Sequence, residues 1–381
     1  MRILLVGEYS RLHNSLKEGL EELGHEVTII GNGDGFKAYP VDIELNHSFN
    51  NYLSKKIRVF FYKFLFTDLA SIEIYLKTLF LSKRLKNYDV VQLINESSIK
   101  CTPKYEIKFL KRLKKNNKSL FLLSCGVDYT CIKYMIEEKF RYSILTPYIN
   151  DKSLYNTYRF MLQYLNDDYK KLHDYLYENV DGVIASDMDY HLPLLGNKKY
   201  LGLAPNPINL DKLAYIAPDI TKKIKIFHGV NTEASFKKGN NVFSDALKII
   251  EQKYSDKVDI ITTYSVPYNE YIEKYNSCHI LLDQVYSYDQ GFNALEAMAK
   301  GKVVFTGAEK EWLEYYNLEE DTVAINAVPS AESIANKLEW LILNPDKILE
   351  ISRNARNFIE KEHHYLSCTE RYVSYWKSAK H

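Results

Sequence analysis

Two series of short apolar runs, each separated by helical periodicity, meet at Ala204-Pro205-Asn206-Pro207. Two prolines flanking an asparagine can continue neither a helix nor a central strand. A strand buried on both faces of a parallel sheet is apolar throughout, without the polar alternation of a half-exposed one. Runs of that kind alternating with helices fold into doubly wound parallel sheets. The proline break therefore divides the chain into two α/β halves, and 381 residues suit two domains at roughly 100–200 residues each.

The first series opens with Arg2 to Gly7 as a strand, Asn14 to Leu23 as a helix closed by Gly24, and His25 to Gly31 as a second strand. No GxGxxG joins the first strand to its helix, so the dinucleotide fingerprint is absent. Further strands are expected at Tyr88 to Asn95, Lys118 to Ser124 and Asp181 to Ser186, with a basic helix at Glu106 to Lys115. Tyr129 to Asn179 reads as helices with loops inside this first half. In the second series the strands are Lys223 to Gly229, Val258 to Thr263, His279 to Asp283 and Val303 to Gly307. Helices fall at Val242 to Gln252, Asn269 to Tyr275 and Gly291 to Lys300, and Ala331 to Lys377 is helical apart from a break at Asn344-Pro345.

Charge and cysteine usage narrow the function. Lys+Arg number 50 and Asp+Glu 49, which excludes a bulk electrostatic nucleic-acid binder. Cys101, Cys125, Cys131, Cys278 and Cys368 form no CxxC pair, so neither a zinc site nor a disulfide framework is expected. A reducing cytoplasm is the natural location. The apolar start ends at Glu8, too short for a signal peptide, and Val59 to Phe66, interrupted by Lys63, falls short of the about 20 residues that cross a bilayer.

One segment carries most of the chemistry: Asp289-Gln290-Gly291-Phe292-Asn293-Ala294-Leu295-Glu296-Ala297-Met298-Ala299-Lys300-Gly301. Gly291 opens a helix after a strand and a loop, and first-turn amides can hold an anionic or hydroxyl-rich ligand. Glu296, within two turns, can accept hydrogen bonds from both hydroxyls of a diol. A plain helical unit with a surface glutamate is the other reading of the same spacing.

This segment resembles the C-terminal signature of GT-B glycosyltransferases, most closely that of the retaining family 4. The resemblance implies a GT-B fold, two Rossmann-like domains facing a central cleft, and transfer of a sugar from a nucleotide diphosphate sugar of the UDP or GDP type. It gives Glu296 the ribose hydroxyls and Gly291, Phe292, Asn293 and Ala294 the donor sugar and phosphates. An earlier glutamate of the family aligns with Gln290, which inherits a place at the sugar and a candidate catalytic role. Phe236-Lys237-Lys238-Gly239-Asn240 resembles the family's lysine-glycine phosphate motif, so Lys238 faces the diphosphate. The family's arginine is Glu233 here, and His228, Asn231 or Lys237 are its substitutes.

The resemblance also puts the acceptor on the first domain. Ser10 and His13 in the first loop, and Asp128 after the strand ending at Ser124, are its acceptor-side candidates. His13 is a candidate general base, because a histidine titrates near neutrality, or a histidine at a helix start facing solvent. The resulting domain boundaries are 1–205 for the acceptor side, 206–360 for the donor side, and 361–381 for a helix crossing back to the first domain.

Asp187-Met188-Asp189 follows a strand, as a metal-binding DxD does, but Ser186 or Asp187 equally suits the N-cap of the next helix. We expect no metal and no cofactor beyond the nucleotide sugar. Lys55, Lys56, Arg58 and Lys63 interleave with Phe60, Phe61, Tyr62 and Phe64, and Lys100 to Lys118 carries eight Lys/Arg against Glu106 alone. Such a face suits an anionic cytoplasmic leaflet and a lipid-linked acceptor, or is simply solvated beside a soluble glycan. A same-fold UDP-sugar epimerase and a noncatalytic partner subunit are the competing functions.

Overall fold

A computed structural model describes residues 1–49, 51–65, 68–232 and 235–379. Glu233, Phe66 and the side chain of Lys63 lie outside the described residues. The chain forms two compact units. The first comprises Met1–Lys133, Arg159–Pro207 and Tyr365–His381, and the second Tyr134–Tyr158 and Ile208–His364.

Among the described residues the first unit holds a seven-stranded sheet. Its strands are β1 (Arg2–Val6), β2 (Glu26–Gly31), β3 (Ile43–Glu44), β4 (Val90–Leu93), β5 (Leu120–Ser124), β6 (Gly182–Ala185) and β7 (Tyr200–Leu203). Their order is β3-β2-β1-β4-β5-β6-β7, and each pairing is parallel. Ile3 stands beside Val27 on one side and Val90 on the other. The apolar runs are buried along their length, which is why they lack alternation.

Helix α1 (Leu12–Glu22) buries Leu12, Leu16 and Leu20, the face set by their spacing. The last helix, Tyr365–Ser378, packs on α1 and buries Tyr372 and Trp376. Between β3 and β4 run α2 (Tyr52–Leu65) and α3 (Leu69–Phe80), and α4 (Pro103–Asn116) leads into β5. Asp68 caps α3 by accepting from Ser71 N, and Pro103 opens α4 where its missing N–H costs nothing.

The second unit is a smaller copy of the same plan. Strands β8 (Ile224–Val230), β9 (Val258–Tyr264), β10 (Ile280–Leu282), β11 (Val303–Thr306) and β12 (Ile325–Asn326) lie in the order β12-β11-β10-β8-β9, again parallel. The helices Asn240–Tyr254 and Ala331–Leu343 pack together over a core that includes Phe243, Leu247, Ile334 and Leu338.

One segment departs from the sequence reading. Residues 134–158 belong to the second unit, although the strands on either side of them in the chain belong to the first. Polar contacts hold them there. Arg141 pairs with Glu309 and with Glu311, and the Tyr142 hydroxyl donates to Glu309. Arg141 N donates to the Tyr288 hydroxyl at 2.7 Å, and the rings of Phe140 and Tyr288 meet at 4.8 Å.

Candidate active site

Strand order locates the best ligand position in each unit. In an open parallel sheet, ligands bind beyond the carboxyl ends of the strands, where the order reverses. In the second unit that point lies between β8 and β10. The connection after β8 carries Lys237 and Lys238 in the short helix Ser235–Lys238, and the loop after β10 runs from Asp283 to Gly291. In the first unit it lies between β1 and β4, which puts Gly7 to Arg11 at the equivalent place.

The second-unit site is built around Asp283. Its Oδ1 accepts from Lys238 Nζ at 3.0 Å and from Asn293 Nδ2 at 2.9 Å. Asn293 is fixed in turn, since its Oδ1 accepts from the Tyr271 hydroxyl at 3.0 Å and its backbone carbonyl from the Tyr275 hydroxyl at 2.9 Å. A continuous polar chain therefore joins the Lys238 loop to the first turn of the helix Phe292–Ala299. Gly291 caps that helix, and nothing lies within 4 Å of where its Cβ would stand. The first N–H groups of a helix lack intrahelical acceptors, so this turn is a place for anionic oxygens.

A second helix start lies alongside. Gly239 precedes the helix Asn240–Tyr254 at φ 71°, a left-handed conformation that favours glycine, and a Cβ there would meet Val285 at 2.7 Å. Asn240 Oδ1 accepts from His228 Nε2 at 3.3 Å, while the buried Asn240 Nδ2 has no partner among the described residues. An unused amide donor beside a lysine is suited to a phosphate oxygen.

The remaining donor-side residues fall into distinct environments. Lys237 is half-buried, with Nζ 5.9 Å from the centre of the Tyr158 ring, and burial lowers its pKa. Glu296 is half-buried; burial, and after it the charge of Glu296, hold the Tyr275 proton tightly. Phe292 is half-buried and Ala294 buried. Gln290 Nε2 donates to Gly307 O at 2.6 Å, tying two loops, and its buried Oε1 has no partner among the described residues.

His228 needs correction. Its ring is fully buried on β8 and burial lowers its pKa, so it is a neutral link to the next helix rather than a substitute for the missing arginine. Asp283 and Asn240 were missed. Their signal was position, immediately after a strand in one case and at a helix start after a glycine in the other.

The first unit revises more of the sequence reading. His13 is 0% exposed. Its Nδ1–H donates to Gly7 O at 2.7 Å, which makes Nε2 the acceptor of the 3.3 Å bond from Gln92 Nε2. Gln92 Oε1 accepts from Trp376 Nε1 at 3.0 Å, completing a buried chain. Burial pushes the His13 ring down to about 4, so it is neither a base near neutrality nor a solvent-facing residue.

Asp128 is likewise buried. It accepts from Ser124 Oγ at 2.5 Å and from Cys131 N at 2.7 Å, a capping role in the helix Tyr129–Ile136, and burial and then Glu96 raise its pKa. Ser10 donates its N–H to Asp34 and accepts from Lys37 Nζ at 3.0 Å.

Glu8 is the titratable group that the sequence reading passed over in this loop. Its Oε2 accepts from Asn14 N at 2.8 Å and Asn14 Nδ2 at 2.5 Å, and Oε1 has no partner among the described residues. Burial pushes its carboxyl up to about 7. Asp187, by contrast, accepts from Asp189 N at 3.1 Å and caps the helix Met188–Leu194.

The solved structures with this architecture are distant in sequence. Sucrose-phosphate synthase from Thermosynechococcus elongatus is 14% identical with a TM-score of 0.60, covering 99% of this chain and 98% of its own. HepE of Anabaena, solved with UDP and glucose, is 13% identical with a TM-score of 0.60, covering 99% and 100%. The chain has the GT-B fold. A glycosyltransferase from Rickettsia africae is 15% identical with a TM-score of 0.52, covering 99% and 98%. Residues 236–373 match the family model described as glycosyl transferase-like, a stretch that contains Lys237, Lys238, Asp283 and Glu296. No curated protein sequence matches the chain.

Proposed function

We propose that the chain transfers a sugar from a nucleoside diphosphate sugar of the UDP or GDP type to an acceptor hydroxyl, in the synthesis of a surface glycan. The observation that carries this reading is the chain Lys238–Asp283–Asn293, which joins the two loops at the second-unit switch point. Lys238 and the helix amides supply positive charge to the leaving diphosphate, and such electrostatic stabilisation is usually the largest contribution to catalysis. Glu296 takes the ribose hydroxyls, and Gln290 Oε1, without a partner among the described residues, accepts from a sugar hydroxyl. No metal is assigned to this step, and the resemblance of residues 289–307 to a retaining family supports retention.

We assign the acceptor to the first unit. Glu8, rather than His13, receives the proton of the attacking hydroxyl, since a carboxyl raised to about 7 is matched to that task. Among the described residues no helix is long and apolar enough to cross a membrane. Membrane contact, if the acceptor is lipid-linked, is peripheral and runs through α2 at the cytoplasmic face.

The test is incubation with a panel of UDP- and GDP-sugars and glycan acceptors. Release of free nucleotide together with a glycosylated product supports transfer. Interconversion of the sugars means an epimerase, and nucleotide binding without turnover means a partner subunit.

A further inference from the structure

The loops leaving β2, β3 and β4 enclose a cavity of about 400 Å³ in the first unit. Asn32, Asn46, His47, Arg58 and Lys100 form its polar wall, and Ile74 is among its apolar lining. Among the described residues no carboxylate lines it. The carboxylates that pair with its two cations are not part of the wall: Asp68 accepts from Arg58 Nε at 2.6 Å, and Asp34 lies 3.7 Å from Lys100 Nζ. His47 Nδ1 accepts from Phe49 N at 3.2 Å.

Two further observations mark this wall as a ligand site. Lys100 keeps about two fifths of its side chain in solvent, with Nζ 5.0 Å from the centre of the Tyr9 ring, and partial desolvation lowers its pKa, so an anion would restore what the ammonium has lost in water. Lys100 in the wall, and Asp34 and Ser10 behind it, also have φ of 55°, 61° and 49°, left-handed conformations that non-glycine residues hold only at a cost and that gather at ligand clamps. Asp34 Oδ2 accepts from Ser10 N at 3.0 Å, which ties the wall to the loop carrying Glu8.

The surface beside the cavity indicates what carries the anion. Arg58 belongs to α2, on which Tyr52, Leu53, Phe60 and Phe64 are all more than half exposed. Phe80, at the end of α3, is 88% exposed. Lys55 and Lys56 are exposed among them. Large apolar side chains left in water mark an interaction surface, and lysines interleaved with them fit an acidic bilayer.

We propose that this cavity seats the phosphate or pyrophosphate group of an acceptor borne on a lipid, with α2 lying on the bilayer beside it. The proposal rests on the reading of the chain as a transferase and names its acceptor class.

Calorimetric titration of inorganic pyrophosphate into wild type, Lys100→Met and Lys238→Met tests it, with UDP titrated separately. Pyrophosphate also suits the second-unit site, so wild type is expected to show two sites and each variant to keep one at full strength. In Lys100→Met the first-unit site should weaken about tenfold or more while UDP still binds. Asn46→Trp, a substitution at an exposed position that fills the cavity, should have the same effect and guards against a Lys100→Met protein that does not fold. Two undiminished sites in both variants overturn the proposal. Failure of UDP to bind any of the proteins, with the Lys100-dependent site intact, overturns the transferase reading and spares the anion site.

Flotation separates the two sources of phosphate. Vesicles of phosphatidylcholine and phosphatidic acid should capture wild type but not a Phe60→Ser, Phe64→Ser double variant, which should keep both pyrophosphate sites. Wild type left in solution by those vesicles overturns the lipid assignment.

Discussion

Lys238 Nζ lies 3.0 Å from Oδ1 of Asp283, a carboxylate with 2% of its side chain exposed. The pair joins the connection after β8 to the loop after β10, and Asn293 shares the same oxygen. Removing one partner of such a pair strands the other, whereas removing both does not. Lys238→Met should therefore lower the melting temperature and weaken nucleoside diphosphate binding by about tenfold or more. Adding Asp283→Asn should recover stability without recovering affinity. Thermal unfolding and calorimetry of the four proteins give the cycle; affinity that returns with stability would mean the pair is structural only.

Glu8 gives the proposed reaction its pH dependence. A base must be ionised, so kcat should climb as pH rises and level off above about 7. Glu8→Gln should cut kcat by roughly 10²–10⁴ and abolish the climb. A variant that is slower but keeps the wild-type profile would assign the proton to another group.

Glu106 gives folding a pH dependence of its own. It is fully buried on α4, with Oε1 accepting from Cys101 N at 2.9 Å and Oε2 unpartnered among the described residues. Burial pushes its pKa from the ordinary 4.5 up to about 8. The unfolded chain ionises first, so the stability held below pH 4.5 is lost as pH rises toward about 8, at up to about 1.4 kcal/mol per pH unit. Denaturant unfolding across that window should show wild type losing stability relative to Glu106→Gln, with the two running parallel above it. Parallel curves throughout would mean that Glu106 is ionised in the fold.

The Asp187 cap carries a prediction about metal. Activity should survive EDTA, and Asp189→Ala should be mild because it keeps the backbone N–H that Asp189 gives to the cap. Loss of activity in EDTA with recovery in manganese would restore the DxD reading.

The strands were legible because burial on both faces leaves an unbroken apolar run, as in Leu120 to Leu123 or Val303 to Phe305. Residues 134–158 were not, because the partners that hold Arg141 and Tyr142 are Glu309 and Glu311, far along the chain, and no local pattern announces such pairing. Of the candidate residues, Lys238 and the ribose role of Glu296 come from the resemblance to a family's motifs, which is legible in sequence. Asp283 was read only as the end of a strand, since its role depends on which strand lies beside it. His13 and Glu8 differ from expectation for one reason: burial favours the uncharged form, which moves an imidazole pKa down from neutral pH and a carboxyl pKa up toward it.

The central claim is that the second unit holds a nucleoside diphosphate sugar through Glu296 and the Lys238 loop. Calorimetric binding of UDP, GDP and their sugars to wild type and Glu296→Ala tests it most directly. Each hydrogen bond to a charged group contributes about 1.5–3 kcal/mol, so wild type should bind measurably and the variant, with unchanged melting temperature, at least tenfold more weakly. Equal nucleotide affinity in the two proteins would contradict it.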